Sequence, residues 1–213
     1  MPRERYHPAA PVLETERLVL RPWREADVRA YSRILRDPEV MRHWGSGPRF
    51  RLRRALANQV ARFVAVEARW AIASMNRHWH RYGFGQWAVE HKEMGSLLGN
   101  VGLTVLEDWT AGPTNVEIGW FLARPVWGRG YATEAARACI DYAFDIVQLP
   151  RLVSVTLVSN LRSERVMQSL ALSRVGRTRW KGSEVVWYAV AQADWTRTGA
   201  AGSDTPRPRA QPT

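Results

Sequence analysis

The chain has 213 residues, of which 46% are hydrophobic, so it is long enough to bury the core of one globular domain. No apolar run approaches the roughly 20 residues that span a bilayer, which excludes an ordinary membrane-spanning helix. The N-terminal segment 1–11 lacks the apolar core of a secretory signal. We therefore expect this segment to be flexible and the protein to be cytoplasmic.

The net charge of +11 favours anionic ligands and disfavours polycationic ones. Lys92 and Lys181 are the only lysines, so 29 of the 31 basic residues are Arg. A GC-rich genome can produce this bias as well as a partner can. The charge alone therefore does not predict specific nucleic-acid binding.

The first part of the chain is predicted to contain one strand and two helices. A strand over 18–20 ends at Pro22. A helix over 25–35 has to end before Pro38, because the residue preceding a proline is disfavoured in the helical region. Apolar residues spaced three, four or seven apart then predict a long Arg-rich helix over 49–81, which glycines end.

The rest of the chain alternates strands and helices. The predicted elements are strands 87–89, 97–103 and 116–122, a helix over 132–147, a strand over 152–158, a helix over 163–170, and a hairpin of 174–180 with 185–190. Cys139, the only cysteine, shares a helix face with alanines, which predicts a packed position without a disulfide. The Pro-, Gly- and Ser-rich segment 197–213 predicts a disordered tail, so a single domain is expected over 12–196.

The most informative segment is VEIGWFLARPVWGRGYATEA, residues 116–135, which has the pattern of a strand, a glycine-bearing turn and the start of a helix. Gly128 and Gly130 allow the backbone to approach a ligand closely. A helix that begins near Ala132 or Thr133 adds free N–H groups and its positive dipole end. The combination predicts a site for a pyrophosphate-bearing ligand, and coenzyme A is the leading candidate.

This segment closely resembles motif A of the GNAT superfamily of acyl-CoA-dependent N-acetyltransferases, which is usually Gln/Arg-x-x-Gly-x-Gly/Ala. The motif falls on Trp127, Gly130 and Ala132, with Trp in place of the usual Gln or Arg. The stretch WGRGYATEA is similar to the Rim-type branch, which contains the ribosomal-protein N-terminal acetyltransferases. Further segments resemble that branch in the expected order: LETERLVLRPW, GFGQWAVE, LLGNVGL and VSNLRSERVMQSLAL.

The resemblance implies an α/β fold of the GNAT type, with a mixed, mostly antiparallel central sheet that is split by a V-shaped splay and flanked by helices. It implies acetyl-CoA as co-substrate and transfer of the acetyl group to a primary amine by direct attack, without a covalent acyl-enzyme. The implied acceptor is a protein N-terminus or a small amine, and a homodimer is a further expectation. The loops 41–50 and 107–115 are expected to select the acceptor, and the segment 41–47 is expected to border its pocket.

The resemblance also assigns residues to the coenzyme. The backbone of Phe121 and Leu122 is expected to pair with the pantetheine arm, as an added strand would. Asn160 is expected to contact the coenzyme, with helix capping as its alternative role. The residues expected at the pyrophosphate are Trp127, Gly128, Arg129, Gly130, Tyr131, Ala132 and Thr133.

Glu117 is the candidate catalytic base. Strand alternation places it on one face with Gly119 and Phe121. A carboxylate within an otherwise apolar strand is costly to bury unless it has a partner or a task. By resemblance, it deprotonates the amine directly or through water. The alternative is an ion pair with one of the many arginines.

The leaving thiolate needs a hydrogen-bond donor. The family often has a Tyr in the helix after Asn160, and Met167 stands at the matching position. Ser163 occupies the Asn-x-x-Ser position and is the candidate to protonate or hydrogen-bond the sulfur, with helix capping as the alternative. Ala171 replaces the glycine that usually closes this helix. This predicts a different turn geometry, because glycine adopts the left-handed conformation at lower cost.

No metal site is predicted. His78 and His80 are two residues apart, a spacing that points the rings away from each other on a helix, and no Cys or carboxylate cluster accompanies them. Two functions of another class stay open from the sequence. One is a non-catalytic acyl-CoA sensor, and the other is an RNA-associated basic module, which requires arginines clustered on one face.

Overall fold

The computed structural model describes residues 10–42 and 61–195. Several sequence-based expectations lie outside the described residues. They are the flexible N-terminal segment, the first part of the helix over 49–81, most of the loop over 41–50 and the tail over 197–213.

Within the described residues, eight strands form a single sheet, and helices pack against it. The strands are β1 (Leu13–Glu14), β2 (Leu18–Arg21), β3 (Gln86–His91), β4 (Leu97–Val105), β5 (Val116–Leu122), β6 (Arg151–Leu157), β7 (Ser173–Trp180) and β8 (Ser183–Ala191). The helices are α1 (Asp27–Arg36), α2 (Pro38–Met41), α3 (Ala61–Tyr82), α4 (Tyr131–Asp145) and α5 (Leu161–Ser169). None of these helices is both long and apolar enough to cross a membrane.

The elements predicted within this part of the chain are present, with boundaries within about two residues of those expected. The structure adds β1 and α2, which are too short to show a hydrophobic period. Asp37 is extended at ψ 116°, as the following proline requires, and its side chain accepts a hydrogen bond from the N–H of Glu39 to cap α2.

The sheet is joined at its centre by a single residue pair. Its strand order is β1-β2-β3-β4-β5-β6-β8-β7. The neighbours are antiparallel except β5 and β6, which run parallel and pair only at Glu117 and Val153. In contrast, β5 pairs with β4 at seven positions, and β6 pairs with β8 at seven. The sheet therefore consists of two well-paired halves that diverge from one point, which is the expected splay.

Apolar side chains fill both faces of the sheet. Helix α4 packs on one face, where Cys139 is fully buried, as predicted. Helices α1, α2 and α3 pack on the other face around Tyr31. A third cluster, beside the β7–β8 hairpin, contains Trp109, Trp180 and Trp187.

A buried ion cluster fixes α1 to the sheet. Arg21 of β2 donates to both carboxylate oxygens of Asp27 at 2.8 Å and to Glu90 of β3 at 2.8 Å. Burial of Asp27 opposes its ionisation, but the hydrogen bonds from Arg21 and from the N–H of Arg24 hold its pKa below the usual range. Because loss of one partner leaves a buried charge unpaired, this cluster sets the position of α1 over β3.

The residue after α5 adopts the left-handed conformation although it is not glycine. Ala171 has a φ of 56°. The N–H groups of Ala171 and Leu172 donate to the carbonyls of Gln168 and Met167 at 2.9 and 3.1 Å. The expectation of a different turn geometry is therefore wrong. The turn keeps the form that glycine favours, and alanine bears the conformational cost.

We expect Ala171→Gly to stabilise the protein by about 0.5–1 kcal/mol, because it removes the cost of a left-handed alanine. The matched control is Ala73→Gly, at an exposed position in the middle of α3. There the same substitution should destabilise by about 1 kcal/mol. Urea unfolding of the two variants measures both signs. A loss of stability in Ala171→Gly would contradict this account of the turn.

Candidate functional site

A cleft of about 1140 Å³ opens where β5 and β6 diverge. It extends from the start of α4 to the space between α3 and the α1–α2 pair, and its lining includes Glu117 and Ser163. The predicted site residues all line this cleft except Arg129. The structure thus brings together residues from the end of β5, the following turn, the start of α4 and the start of α5.

The turn before α4 is open to an anion. Gly128 and Gly130 have φ of 74° and 81°, in the region that favours glycine. Gly130 is the N-cap of α4 without a side-chain cap, and the helix begins at Tyr131, slightly earlier than expected. The first amides of a helix have no acceptor within that helix, so their N–H groups and the helix dipole can bind phosphate oxygens.

Tyr131 contributes to this turn through its backbone. Its side chain is buried, and its hydroxyl lies 3.0 Å from Nε2 of His91, which is itself buried at the end of β3. The N–H of Met94 donates to Nδ1 of His91 at 3.4 Å, so Nε2 carries the proton and donates to Tyr131. This bond fastens the first residue of α4 to the sheet and engages the hydroxyl, so the N–H is the group that Tyr131 can offer to a phosphate.

Arg17, in the loop between β1 and β2, braces the same turn from outside the cleft. Its Nη1 donates to the carbonyl of Arg129 at 3.1 Å. Its Nη2 lies 3.4 Å from the place where a side chain at Gly130 would begin. In a trans peptide, a carbonyl and the next N–H point in opposite directions. Holding the Arg129 carbonyl therefore directs the N–H of Gly130 away from Arg17.

Arg17 also pairs with Glu134, in the first turn of α4. Nη2 of Arg17 lies 2.6 Å from Oε2 of Glu134, and the Thr15 hydroxyl donates to Oε1 at 2.6 Å. Burial opposes ionisation of Glu134, but these bonds outweigh it and hold the pKa below the usual range. The sequence gives no local signal for this brace, because its partners are 117 positions apart. Only the resemblance of LETERLVLRPW marked the segment.

The edge of β5 offers its backbone to the cleft at alternate residues. The N–H of Ala123 donates to Leu98 at 2.8 Å, so every second residue from there bonds to β4. Phe121 is in that set, whereas Trp120 and Leu122 direct their backbone groups toward the diverging β6. The backbone of Phe121 is therefore engaged with β4, contrary to the expectation, and Trp120 and Leu122 are the residues whose backbone faces the gap. Phe121 lines the cleft with its ring.

The side chain of Trp127 bonds to the last residue of β5. Because it is neutral, it does not supply the phosphate contact that the usual Gln or Arg could make. Its Nε1 donates to the carbonyl of Leu122 at 2.8 Å. The guanidinium of Arg162 lies 5.0 Å from the centre of its ring, within cation–π range. The Leu122 carbonyl therefore already accepts a hydrogen bond, and the N–H of Leu122 is the backbone group that remains for a ligand.

Glu117 lies at the point where the two halves of the sheet part. It is half-buried, and its Oε1 accepts from the N–H of Val155, on β6, at 3.2 Å. Burial raises its pKa to about 7, against smaller opposing effects of the Val155 bond and the charge of Lys181. Among the residues that the structure describes, no arginine forms an ion pair with Glu117, which was the alternative role. Glu117 can therefore take up or release a proton near neutral pH.

Ser163 has a hydroxyl proton available to the cleft. Its Oγ accepts from Nε1 of Trp120 at 3.2 Å and from Nδ2 of Asn160 at 3.0 Å. With both lone pairs of the oxygen occupied, the O–H group remains as a donor. Asn160 caps α5, since its Oδ1 accepts from the N–H of Ser163 at 3.3 Å. Met167, at the usual tyrosine position, is buried and brings no hydroxyl.

Of the two histidines noted in the sequence, His78 has a structural role. Nδ1 of His78 bonds to the carbonyl of Phe84 at 2.8 Å, and Nε2 accepts from the N–H of Val105 at 3.0 Å. His78 therefore ties α3 to β4. Among the residues that the structure describes, no group of three or more His, Cys, Asp or Glu side chains is placed to hold a metal ion.

Comparison with known proteins identifies the family. The acetyltransferase (GNAT) domain profile matches residues 17–173. The uncharacterized protein YkkB of Bacillus subtilis is 30% identical over 161 residues, which cover 75% of this chain and 84% of YkkB. The FsC-acetyl coenzyme A-N(2)-transacetylase of Aspergillus fumigatus is 29% identical over 199 residues, which cover 89% of this chain and 80% of that protein.

A solved structure supports the same assignment. The acetyltransferase from Agrobacterium tumefaciens is 28% identical, with a TM-score of 0.66, and the match covers 88% of this chain and 98% of that one. The chain belongs to the GNAT acetyltransferase family and is an acetyl-CoA-dependent acyltransferase. The open turn at Gly130 and the free edge of β5 fit such a co-substrate, because they offer amides to its phosphates and to its pantetheine arm.

We expect Arg17→Gln to weaken acetyl-CoA binding about five- to tenfold, because it frees the Glu134 charge beside the phosphates and releases the Arg129 carbonyl. Calorimetric titration with acetyl-CoA measures the change. Arg81→Gln, which removes an exposed Arg that pairs with Glu107 at 3.4 Å, is the matched control and should leave the affinity unchanged. Equal affinities for the wild type and Arg17→Gln would remove Arg17 from the coenzyme site.

Proposed function

We propose that this protein is an N-acetyltransferase that moves the acetyl group of acetyl-CoA to a primary amine by direct attack, with Glu117 as general base. The observation that carries the proposal is the position of Glu117 at the fork of the sheet, in the cleft that also contains the phosphate turn and Ser163. Burial raises its pKa to about 7, so a large fraction is ionised at neutral pH. A base of this pKa is matched to proton transfer near that pH.

The reaction forms a carbon–nitrogen bond, breaks a carbon–sulfur bond and moves one proton from nitrogen to sulfur. The amine nitrogen attacks the carbonyl carbon of the thioester, and its proton passes to the Glu117 carboxylate, directly or through one water. As the carbon–sulfur bond breaks, the sulfur leaves with the electron pair. The Ser163 hydroxyl donates a hydrogen bond to this thiolate, which then takes up the proton released from the amine. The products are the N-acetylated amine and the free thiol.

The bound coenzyme extends along the open edge of β5. The N–H groups from Gly130 to Thr133 bind its pyrophosphate, and the positive end of α4 adds to their effect. The backbone of Trp120 and Leu122 pairs with the amides of the pantetheine arm, in the gap that β6 leaves. This arrangement supports a thioester placed between Ser163 and Glu117.

The acceptor is a primary amine, carried either by a protein N-terminus or by a small molecule. Resemblance of WGRGYATEA to the Rim-type branch supports a protein N-terminus. The half-buried carboxylate of Glu117 is compatible with either acceptor, because a base acts on the amine nitrogen whatever group that nitrogen carries.

We expect Glu117→Gln to lower kcat/KM about 100-fold at pH 8, with acetyl-CoA affinity retained, because general-base catalysis contributes about 10²–10⁴ in rate. The base acts only when ionised, so the ratio of wild-type to variant kcat/KM should rise with pH through 7 and level off above it. Because both enzymes are measured with the same acceptor, the effect of the amine's own ionisation is the same for both and cancels in the ratio of their kcat/KM values. Rates of thiol release from pH 6 to pH 9 provide this measurement.

The matched control is Glu93→Gln, an exposed carboxylate in the turn between β3 and β4, outside the cleft lining, whose loss changes the net charge equally. It should leave both the rate and the pH profile unchanged. A folded-state pKa above the ordinary value also makes ionisation of Glu117 destabilising, so the wild type should lose stability relative to Glu117→Gln as pH rises from 5 to 8. A ratio of kcat/KM that does not vary with pH would rule out Glu117 as the base.

A further inference from the structure

The end of the cleft farthest from α4 has apolar walls. It is bounded by α1, α2 and α3, and the side chains that these helices contribute include Leu35, Val40, Met41, Val66, Trp70 and Met75. Val66 and Trp70 lie one turn apart on α3 and are 61% and 59% exposed. Large apolar side chains exposed together at a cleft indicate a surface that a ligand covers.

The polar groups on the floor of this end already bond to one another. The Tyr31 hydroxyl donates to Oδ1 of Asn100 at 3.0 Å, and Nδ2 of Asn100 donates to Oε1 of Gln86 at 2.9 Å. Nε2 of Gln86 donates in turn to Thr104 at 3.0 Å and to the carbonyl of Gly102 at 3.1 Å. Because most of these groups already have partners within the network, a polar substituent placed over it would gain fewer bonds than it loses to water, which costs free energy.

Charged side chains at this end have mixed sign. Among the described residues, they are Arg36, Glu67 and Lys181, besides Glu117. The ammonium of Lys181 lies 3.4 Å from Oδ1 of Asp108 and 4.3 Å from the centre of the Trp180 ring, so it is already engaged. The described part of the walls therefore does not concentrate charge of one sign against a charged substituent.

We infer that the acceptor is a primary amine with an apolar arm, which lies between α3 and the α1–α2 pair against Val66 and Trp70 while the amine reaches Glu117. The inference rests on the proposed function and adds the substrate class. The cleft of about 1140 Å³ has room for this arm beside the thioester, since common ligand sites have about 300–1,000 Å³. Met41 and Met75 can adapt to arms of different shape.

The first test compares acceptors that share a primary amine and differ in the arm. Thiol release is measured with 2-phenylethylamine, 3-methylbutylamine and 2-aminoethanol, and with the dipeptide amides Phe-Gly and Ser-Gly. We expect kcat/KM for the apolar members to exceed that for the polar ones at least about tenfold, as expected when one apolar group fills a pocket. A preference confined to the free amines identifies a small-molecule acceptor, and one confined to the peptides identifies an N-terminal residue.

The second test removes one large apolar side chain from the wall of the cleft. Trp70→Ala should lower kcat/KM for the apolar acceptors about tenfold, mainly through KM, and leave 2-aminoethanol and acetyl-CoA affinity unchanged. Trp70→Phe, which keeps an apolar ring, should restore most of the preference. The matched control is Ile146→Ala, which removes an apolar side chain 51% exposed at the end of α4, outside the cleft lining. It should change none of these values.

The outcomes separate the two proposals. Equal kcat/KM for apolar and polar acceptors, or an equal loss for every acceptor in Trp70→Ala, would overturn the apolar arm and leave the transfer reaction standing. If the protein binds acetyl-CoA but acetylates none of the acceptors, the proposed function itself fails, and the inference fails with it.

Discussion

The site depends on the pairing of β5 with β6 at one residue. Past Glu117 and Val153, the two parallel strands separate, and backbone groups that would bond across a continuous sheet face a cleft instead. Unpaired backbone polar groups are costly to leave without partners. The Glu117 side chain satisfies one of them, the N–H of Val155. The edge of β5 is left for a ligand that supplies amide partners, as the pantetheine arm of the co-substrate does.

The electrostatic character of the cleft changes along its length. At one end, the uncapped start of α4 and the Gly130 turn present amides and the positive end of a helix dipole, which suit phosphates. At the fork, burial raises the pKa of Glu117 to about 7, which suits proton transfer. Beyond it, the walls of α1, α2 and α3 are mainly apolar, and the polar groups of the floor bond mostly to one another. The three regions match, in order, a phosphate-bearing donor, a reacting amine and an apolar substituent.

The sequence predicted the parts of this site that are local in the chain. The strand, turn and helix of 116–135 and the position of Glu117 depend on neighbouring residues and on strand alternation, so they could be recognised from the sequence. The backbone direction of Phe121 could not, because it depends on which residue pair of β4 and β5 is hydrogen-bonded. The brace between Arg17 and Glu134 crosses 117 positions. The left-handed turn at Ala171 runs against the local preference of alanine, and the residues on either side of it, Leu170 and Leu172, are buried.

The measurement that tests the central claim most directly is a crystal structure of the protein with a thioether analogue of acetyl-CoA, which cannot transfer its acyl group. The account predicts phosphates on the amides from Gly130 to Thr133, an arm bonded to the backbone of Trp120 and Leu122, and the acetyl end beside Glu117. An analogue bound elsewhere, or strands β5 and β6 paired beyond Glu117 with no room between them, would contradict it.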